Sequence, residues 1–573
     1  MTTQFMSCVM RAVVVRARLR HQPGSVDRVP RARPRRSSPC VAVRCENTDT
    51  PTPAPKVHFL GIGGAGISAL AIIALSNGYR VSGSDMRDSD VLEVVREKGA
   101  TCFVGHDVRN VSGVEEEDAG PGKAEDDTSE ERNKDKDATR NINTTIPDAV
   151  VVSSAVPSNN VEVRWARQHG IPVFTRSQWL ARTTKGKTVI AVAGTHGKTT
   201  TSAMLATTLL DLNLDISAVI GGRVAQFPDS ANAVGGKNKI FVIEADEYDG
   251  AFLGLTPSTA VLLNCEMDHP DIFHGVDDVV QLFKQFVGKV GVGGSVIANG
   301  DDANVRLICE NKSNVITFGV GKENEYRAVD LTPNEHGGTS FTVTHFDTVI
   351  TQVSITQPGE YQVRNALAAY IAASVTLETS TDSSTNPDTS ALITTSLETH
   401  LGVARRMQLI GSCNVGQNNI TCHVYDDYAH HPTAVAAVIE AAKQKHEGAE
   451  IIVLFQPHTF FRVSLMLGEF TKALRLADTV IVTQVFDARP EKDLKSDGRR
   501  EFGEDIVNAI GKEKGFFAHS FDEAVERAVS EGRRDDMSLA KESNPEKQVV
   551  VLCLGAGAGF DAAEKVFQEL RNE

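Results

Sequence analysis

Short apolar runs alternate with longer amphipathic segments through most of the chain, and this alternation predicts strands separated by helices. Near the N-terminal end, Val57–Leu60 is typical of a strand, Ile67–Asn77 of an apolar helix and Arg80–Ser84 of a second strand. A strand, a helix and a strand in this order form a βαβ unit with parallel strands. The pattern therefore predicts an α/β sheet in this part of the chain.

The same alternation continues in two further parts. The central part contains three apolar runs of strand length: Thr188–Ala193, Ile240–Ile243 and Ala260–Leu263. Residues 314–357 then resemble a run of short strands, before a helix that opens at Pro358. The last part begins around Gly402 and contains four predicted strands: Thr421–Tyr425, Ile451–Phe455, Thr479–Thr483 and Val549–Leu554. Helical stretches separate these four, so we expect a parallel sheet there as well. We place the domains at 55–184, 185–403 and 404–573.

The first 45 residues differ from the rest in composition. They hold ten Arg, no Lys and one acidic residue, Asp27. An Arg-rich, acid-poor N-terminus is typical of an organelle transit peptide, so we expect residues 1–45 to be removed. A basic tail that binds nucleic acid is the alternative interpretation.

Charge and hydropathy exclude several function classes for the remaining chain. The whole chain has a formal net charge of −15, and since the first 45 residues contribute +9, the remainder carries −24. Such an acidic body argues against a nucleic-acid partner. No run of ~18 apolar residues is present, so we expect no membrane span. The nine cysteines form no CxxC pair, which favours reduced structural thiols.

Two polar segments interrupt the alternation. Between Glu115 and Asp137 the chain has eleven acidic and four basic residues. We therefore expect residues 113–145 to be a disordered acidic insertion, tolerated as a surface loop. Ser380–Ser390 is a second polar loop of low complexity.

The strongest chemical signal is Gly-Thr-His-Gly-Lys-Thr-Thr at 194–200, between an apolar run and a helix-like segment. A glycine turn between a strand and a helix directs backbone N–H groups at one spot, where the helix N-terminus adds positive potential. Lys198 can then reach nucleotide phosphates, and Thr199 can offer its hydroxyl to Mg²⁺. Val192 stands where the general P-loop pattern asks for glycine. The segment predicts ATP chemistry.

Acidic residues follow two predicted strands of the same domain. One strand ends in Glu244-Ala245-Asp246-Glu247, and the other is followed by Asn264 to His269. Ligands bind at the carboxyl ends of strands in open α/β sheets, and hard oxygen ligands there suit Mg²⁺ on a nucleotide. Capping of the following helices is the structural alternative.

A second glycine turn lies in the first βαβ unit. Gly61, Gly63 and Gly66 match GxGxxG, and Asp85 ends the next strand, where a ribose-binding acid is expected. By itself this turn is typical of a dinucleotide-binding oxidoreductase. The separate ATP-type loop disfavours that interpretation.

Many motifs in one order resemble those of the Mur ligases of peptidoglycan synthesis. The matching segments are Gly61–Ser68, Val81–Asp85, Ser153–Ala155, Gly194–Thr201, Glu244–Glu247, Gly402–Arg406, Asp426–Thr433 and Gln456–His458. The resemblance extends from Lys56 to about Gly559, and the family uses a phosphate loop shortened as at Val192. It implies an α/β fold of three domains: a Rossmann-like N-terminal domain, a central P-loop ATP-binding domain and a C-terminal Rossmann-like domain that binds the amino acid.

The motifs are most similar to those of family members that join L-alanine to UDP-N-acetylmuramate. The resemblance therefore implies an amide ligase that uses ATP and Mg²⁺. ATP would phosphorylate the lactyl carboxylate, and the amine of L-alanine would attack the acyl phosphate. The first glycine turn would then hold the diphosphate of the UDP-sugar rather than a nicotinamide cofactor.

The resemblance also implies roles for individual residues. Catalysis is expected of Lys198, Glu244, His269 and Arg405, and Mg²⁺ ligation of Thr199, Glu244 and His269, although His269 could instead be structural. Nucleotide contacts are expected from Gly194, Thr195, His196, Gly197, Lys198, Thr199, Thr200, Asn365 and Arg405. Contacts to the UDP-sugar or the amino acid are expected from Gly61, Gly63, Gly64, Gly66, Asp85, Ser153, Ser154, Asp426, His430, His431, His458 and Arg462.

Some positions depart from the pattern of the alanine-adding members. Tyr248 stands where they have Ser and, with Asp271–Phe273, leans toward the relative that attaches a recycled tripeptide. Tyr361 and Gln362 replace the usual His-Asn pair. Tripeptide ligation and a non-catalytic nucleotide-binding role in organelle division therefore remain alternatives, and hydride transfer is the last alternative.

A basic leader on a wall-synthesis enzyme favours the plastid stroma as the location of the protein, with the mitochondrion as the alternative. The oligomeric state is left open.

Overall fold

The N-terminal segment (Lys56–Thr184) carries the first predicted βαβ unit. The computed structural model describes residues 54–112, 146–237, 239–248, 250–379, 389–415, 420–486, 503–533, 548–557 and 559–572. The strands of the N-terminal segment are β1 (Lys56–Leu60), β2 (Arg80–Asp85), β3 (Thr101–Val104), β4 (Ala149–Val152) and β5 (Val173–Thr175). Its helices are α1 (Ala65–Ser76), α2 (Asp90–Glu97), α3 (Arg109–Ser112), α4 (Val161–Gln168) and α5 (Arg176–Thr184). The predicted transit peptide, the acidic insertion 113–145 and residues 380–388 of the polar loop lie outside the described residues.

The N-terminal sheet is parallel, with the order β3-β2-β1-β4-β5. This is the order of a Rossmann-type sheet, in which ligands bind where the order reverses, between β1 and β4. The glycine turn that begins at Gly61 follows β1, and Ser153 follows β4. Both predicted UDP-sugar motifs therefore lie at the carboxyl edge of this switch point.

The central segment (Thr188–Glu398) is built on a mixed sheet of ten strands. They are β6 (Thr188–Ala193), β7 (Ile216–Val219), β8 (Ala233–Val234), β9 (Ile240–Glu244), β10 (Thr259–Leu262), β11 (Ser295–Asn299), β12 (Val315–Gly319), β13 (Tyr326–Pro333), β14 (Thr339–His345) and β15 (Thr348–Ile355). The helices are α6 (Lys198–Asp211), α7 (Val276–Val287), α8 (Ala303–Cys309), α9 (Glu360–Thr379) and α10 (Thr389–Glu398), with 3₁₀ turns at Pro228–Ser230 and Ala251–Gly254.

The strand order of the central sheet places the phosphate loop at its middle. The order is β15-β14-β13-β12-β11-β10-β6-β9-β7-β8, and β6 lies between β10 and β9, parallel to both. The predicted run of short strands forms β12 to β15, whose last three members pair as antiparallel hairpins. Buried faces of α6 and α9 pack together in one core cluster, which holds the first turn of α6 in place beneath the loop.

The C-terminal segment (Gln408–Arg571) has six strands in the order β16-β17-β21-β18-β19-β20. They are β16 (Gln408–Val415), β17 (Ile420–Asp427), β18 (Glu450–Gln456), β19 (Thr479–Val482), β20 (Gly515–Phe517) and β21 (Gln548–Gly555). The helices are α11 (Pro432–Lys445), α12 (Phe460–Leu474), α13 (Gly503–Ile510), α14 (Phe521–Gly532) and α15 (Gly559–Arg571).

Two strands of this sheet were missing from the sequence prediction. The first is β16, which pairs antiparallel with β17 at the sheet edge, so the expectation of a wholly parallel sheet is corrected. Its residues alternate between half-buried and exposed, so no continuous apolar run marks them. The second is β20, which has only three residues. The α/β class itself is confirmed, and no helix among the described residues is long and apolar enough to cross a membrane.

Candidate active site

A cavity of about 1060 Å³ connects the three segments. Gly66 and Arg176 line it from the N-terminal segment, Lys198 and Asp246 from the central segment, and His430 from the C-terminal segment. Cavities of this size and composition are typical of small-molecule sites. The phosphate loop, Gly66 of the first glycine turn and the C-terminal histidines thus meet around one space. The other predicted residues of the first domain do not line it: Gly61, Gly63, Gly64, Asp85, Ser153 and Ser154.

The phosphate loop is the four-residue turn between β6 and α6. Gly194 and Gly197 have φ values of 139° and 82°, which disfavour any residue with a side chain. A Cβ on Gly197 would also lie 2.4 Å from Asn365 Oδ1. The Asn264 side chain secures the loop by accepting from the N–H of His196 at 2.7 Å and donating to its carbonyl at 3.0 Å. The turn is therefore held rigid at the start of α6, as an anion site requires.

Lys198 is the cation of this loop. Its Nζ donates to the Gly194 carbonyl at 2.6 Å and to both carboxylate oxygens of Glu247, at 2.9 and 3.1 Å. Burial alone would lower the pKa of Lys198, but Glu247, Asp246 and Glu244 outweigh burial and raise it. The side chain is an ammonium ion held at the mouth of the loop, where nucleotide phosphates would replace Glu247 as its partner.

Thr199 and Glu244 form a second pair beside the loop. The Thr199 hydroxyl donates to Glu244 Oε1 at 3.0 Å, while Glu244 Oε2 accepts from the N–H of Gly221 at 2.6 Å. Arg406 reaches across from the start of the C-terminal segment and donates to Thr199 Oγ1 at 3.3 Å. The predicted metal ligands Thr199 and Glu244 are therefore adjacent.

His269 belongs to a different cluster, with Asp246 and Glu247. One ligand atom from each lies within 4.8 Å of the others, and His269 Nε2 is 3.9 Å from Glu247. Burial and the neighbouring Asp246 raise the pKa of Glu247 to about 7, since two carboxylates here face one ammonium. The buried Nδ1 of His269 has no hydrogen-bond partner. The predicted metal set is thus divided between two adjoining groups, and their carboxylate oxygens fit the hard ligands that Mg²⁺ prefers.

A third cluster joins the phosphate loop to the C-terminal segment. His196 Nε2 and His431 Nδ1 lie 3.6 and 3.9 Å from Glu266 Oε2, which also accepts from the Thr433 hydroxyl at 2.6 Å. Burial alone would raise the pKa of Glu266, but His196, Thr433 and His431 hold it at about 2. The ionised carboxylate therefore draws the first turn of α11 towards the loop.

The placement of Arg462 corrects one expectation. Arg462 is 2% exposed and does not line the cavity. Its Nη2 donates to Asp268 Oδ1 at 2.5 Å, and its Nη1 bonds His458 Nδ1 at 2.8 Å. His458 and His430 do line the cavity, with ring centroids 5.2 Å apart. Arg462 holds the segments together and orients His458 rather than facing the amino-acid cleft.

A second correction concerns Asp426, which pairs with Arg405. Asp426 is fully buried and receives a hydrogen bond of 3.2 Å from Arg405 Nε, although burial raises the pKa of Asp426 to about 6. It supports Arg405 instead of lining the cavity. Both guanidinium groups, of Arg405 and Arg406, lie over the Tyr428 ring, at 5.1 and 5.3 Å. Arg405 lines the cavity, and the neighbouring Arg406 reaches the phosphate loop at Thr199.

The first glycine turn is shaped by the residues that the sequence associated with it. Gly61 has a φ of 75°, and a Cβ there would lie 2.9 Å from the Cβ of Ser153. The N–H of Gly63 donates to Asp85 Oδ2 at 2.9 Å. Asp85 thereby anchors the turn at the end of β2, while Ser154 is exposed beside it. The predicted contacts of Gly64 and these residues with the UDP-sugar remain predictions.

A buried polar network supports this turn from beneath. The fully buried Glu162 carboxylate accepts from His58 Nε2, Ser84 Oγ, the Asp107 N–H and Asn110 Nδ2, all within 3.0 Å. Burial lowers the pKa of His58, so the ring is neutral and donates through Nε2. The network ties β1, β2 and α4 together next to Asp85.

Several residues of the site were given no individual role by the sequence: Arg176, Asp246, Glu247, Glu266, Asp268 and Tyr428. Most lie inside motifs already noted, where acidic runs at strand ends gave a usable signal. Arg176 belongs to no motif, and only the fold brings it to the cavity.

Comparison with known proteins follows the same three-part division. Residues 56–188 match the Mur ligase family catalytic domain, 192–373 the Mur ligase middle domain, and 405–544 the Mur ligase glutamate ligase domain. The UDP-N-acetylmuramate–L-alanine ligase of Frankia casuarinae is 36% identical over an alignment of 524 residues, which covers 87% of this chain and 95% of that protein. The chain belongs to the Mur ligase family.

Other Mur ligases agree with this assignment. The UDP-N-acetylmuramate–L-alanine ligase of Clostridium acetobutylicum is 32% identical and covers 89% of this chain and 96% of its own length. The crystal structure of the UDP-N-acetylmuramate–alanine ligase of Thermotoga maritima aligns with a TM-score of 0.65 at 25% identity, over 90% of this chain and 98% of that one. The predicted family is confirmed, and with it the use of ATP that the phosphate loop indicated.

Proposed function

We propose that this Mur ligase joins L-alanine to the lactyl carboxylate of UDP-N-acetylmuramate, with ATP and Mg²⁺, in peptidoglycan precursor synthesis. The observation that carries the proposal is the single cavity in which the phosphate loop, the first glycine turn and the C-terminal histidines meet. It is supported by relatives of that activity that match most of the chain.

The first chemical step needs dense positive charge around the transferred phosphoryl group. Lys198 provides an ammonium ion at the loop, and Arg406 places a guanidinium beside Thr199. Thr199 and Glu244, with the adjoining Asp246, Glu247 and His269, would hold Mg²⁺, which supplies further positive charge on the phosphates when bound.

The second step needs an amine that has lost its proton. Burial and the nearby Arg462 lower the pKa of His430 well below its usual value, so its ring is neutral. His430 Nδ1–H donates to the Tyr428 carbonyl at 2.8 Å, which leaves Nε2 as a hydrogen-bond acceptor towards the cavity. His430 therefore offers a neutral hydrogen-bond acceptor for an N–H of L-alanine, while its lowered pKa makes it a poor base for the ammonium proton.

Exclusion of water is the remaining requirement, because an acyl phosphate hydrolyses readily. The Glu266 cluster and the Asp268–Arg462 pair bring the C-terminal segment against the loop that follows β10. These contacts would close the cavity over the reacting groups.

The decisive experiment is phosphate release by the chain lacking residues 1–45. The reactions contain ATP, Mg²⁺ and UDP-N-acetylmuramate, with L-alanine or the tripeptide added separately. Release that depends on L-alanine, is lost in Lys198→Ala and persists in the exposed-residue control Lys185→Ala is the expected result. Nucleotide binding without release in either reaction would instead indicate a non-catalytic role.

Tripeptide ligation is the second candidate, because two departures from the alanine-adding pattern contact each other. The Tyr248 hydroxyl donates to Asp271 Oδ2 at 3.1 Å, and Tyr248 lines the cavity. Phosphate release with the tripeptide alone would move the assignment to that reaction.

For location, we propose import into the plastid stroma, supported by the Arg-rich residues 1–45. Incubation of the full chain with isolated plastids and mitochondria, followed by protease treatment, tests this. We expect a shortened, protected product in plastids; protection in mitochondria alone would contradict the proposal.

A further inference from the structure

Arg176 occupies the boundary between the N-terminal and central segments. It is the first residue of α5, directly after the N-cap Thr175, whose side chain forms a capping box with Gln178. The same helix packs on the central segment, since a Cβ on Gly254 would lie 3.5 Å from the Ser177 carbonyl. The backbone of Arg176 is therefore fixed on both sides.

The guanidinium of Arg176 lies directly on the glycine turn that follows β1. A Cβ on Gly66 would be 2.8 Å from Arg176 Cζ, 2.9 Å from Nε and 3.0 Å from Nη1. Only glycine permits this approach, because a Cβ at such distances would displace the group. Gly66 and Arg176 both line the cavity.

The charge of Arg176 has no protein counterion at close range. Among the described residues the structure places no hydrogen-bond acceptor or carboxylate within ion-pair distance of its guanidinium. Its electrostatic influence reaches Asp246, whose pKa it helps to lower from across the cavity. An arginine presents five N–H donors in a planar fork that matches phosphate and carboxylate groups. This fork is left for a ligand.

We infer that Arg176 binds the diphosphate of the UDP-sugar and is a positioning residue for the reaction. This inference rests on the proposed function, which supplies the diphosphate ligand. The group lies on Gly66, whose turn was already expected to receive that diphosphate, so the fork and the turn would contact one anion. The charge of Arg176 also acts on Asp246, which neighbours Lys198, so the group lies between the turn and the site towards which the sugar must extend.

The test measures dissociation constants, without turnover, for UDP, UDP-N-acetylglucosamine and UDP-N-acetylmuramate. Only the last carries the lactyl carboxylate. We expect Arg176→Ala to weaken all three by about 10- to 100-fold, the usual worth of a charge-assisted contact. Arg176→Lys keeps the charge but loses the planar fork, so we expect its dissociation constants to lie between those of the unmodified chain and Arg176→Ala. Gly66→Ala displaces the guanidinium, so we expect it to weaken the binding of all three ligands as well.

The matched control is Arg182→Ala in the same helix. Arg182 lies over the Phe174 and Trp179 rings at 5.9 and 6.0 Å and not in the cavity. The Arg182→Ala variant should leave all three dissociation constants unchanged. The affinity for ATP should be unchanged in every variant, which would show that each variant is folded. An unchanged dissociation constant for UDP in Arg176→Ala overturns the inference. This holds even if the variant binds UDP-N-acetylmuramate more weakly, because Arg176 would then contact the lactyl carboxylate and not the diphosphate. Binding of UDP does not depend on ligation, so a failure of the proposed reaction would be seen separately.

Discussion

The ion pair between Asp268 and Arg462 makes the sharpest energetic prediction. The two residues are 9% and 2% exposed in their side chains, and they join the loop after β10 to the first turn of α12. Replacing Arg462 by Met removes the guanidinium and leaves the Asp268 carboxylate buried and unpaired. We expect the C-terminal segment to detach from this loop in Arg462→Met.

The size of the effect follows from the burial of both partners. Removing one member of a buried pair costs about 3–5 kcal/mol, because the remaining charge is uncompensated. The docked arrangement should therefore become about 150- to 5000-fold less favourable relative to the open one. Removing both charges, in Asp268→Asn with Arg462→Met, should recover most of this loss, since neither partner is left charged.

Hydrogen exchange without substrates gives the direct readout. In Arg462→Met we expect faster exchange in residues 264–269 and in the first turn of α12, and a raised KM for L-alanine with little change in the KM for ATP. The matched control is Arg475→Met at the C-terminal cap of the same helix, because the Arg475 guanidinium donates to the carbonyls of Ala509 and Ile510 within the C-terminal segment.

The double-mutant cycle decides whether the reasoning holds. If the double variant exchanges as fast as Arg462→Met, the unpaired charge is not the cause of the loss. If Arg462→Met exchanges like the unmodified chain, the pair does not hold the segments together at all.

Four further predictions concern other contacts. Glu162→Leu should destabilise β1 and α4 by about 2 kcal/mol or more, because the buried donors of His58 and Ser84 each lose an acceptor worth about 1–3 kcal/mol. Hydrogen exchange no faster than in Glu162→Gln, whose amide can be accommodated by rotation of its donors, would contradict this. The folded state depresses the pKa of His58 below its usual 6.5, so the unfolded state binds the proton more readily and local stability should fall as pH drops below about 6.5; a flat profile between pH 7.5 and 5.5 by hydrogen exchange would refute it. Gly197→Ala should abolish measurable ATP binding, since its Cβ would meet Asn365 Oδ1, whereas UDP binding should persist. His431→Ala should speed exchange of the phosphate loop and weaken ATP several-fold, as Glu266 loses one of its partners; unchanged ATP affinity would show that the cluster does not support the loop.

The sequence predicted those parts of the site whose chemistry depends on neighbours in the chain. Glycine spacing between an apolar run and a helix located the phosphate loop, because strand, turn and helix are consecutive there. Acidic residues at the ends of β9 and β10 were found for the same reason. The fold class followed from the regular alternation of apolar runs and amphipathic segments.

The remainder depends on contacts between residues far apart in the chain. Arg462 and Asp268 are separated by 194 positions, and no local pattern indicates that they pair. Arg405 and Arg406 are adjacent, yet the backbone sends one to Asp426 and the other to Thr199. The sequence did not predict strand β16, because this edge strand has many exposed positions and no continuous apolar run.

Backbone strain is concentrated where the chemistry is proposed. His269, Arg405, Met407 and Thr459 all have φ values between 46° and 62°, which glycine adopts at lower energy. A selection for heat resistance would therefore find gains among these positions, for example in Met407→Gly. Where the replaced side chain is His269 or Arg405, the same change would remove a group of the site. Thermostability and turnover should consequently trade against each other at His269 and Arg405, so a stabilised and active variant should be sought at positions such as Met407.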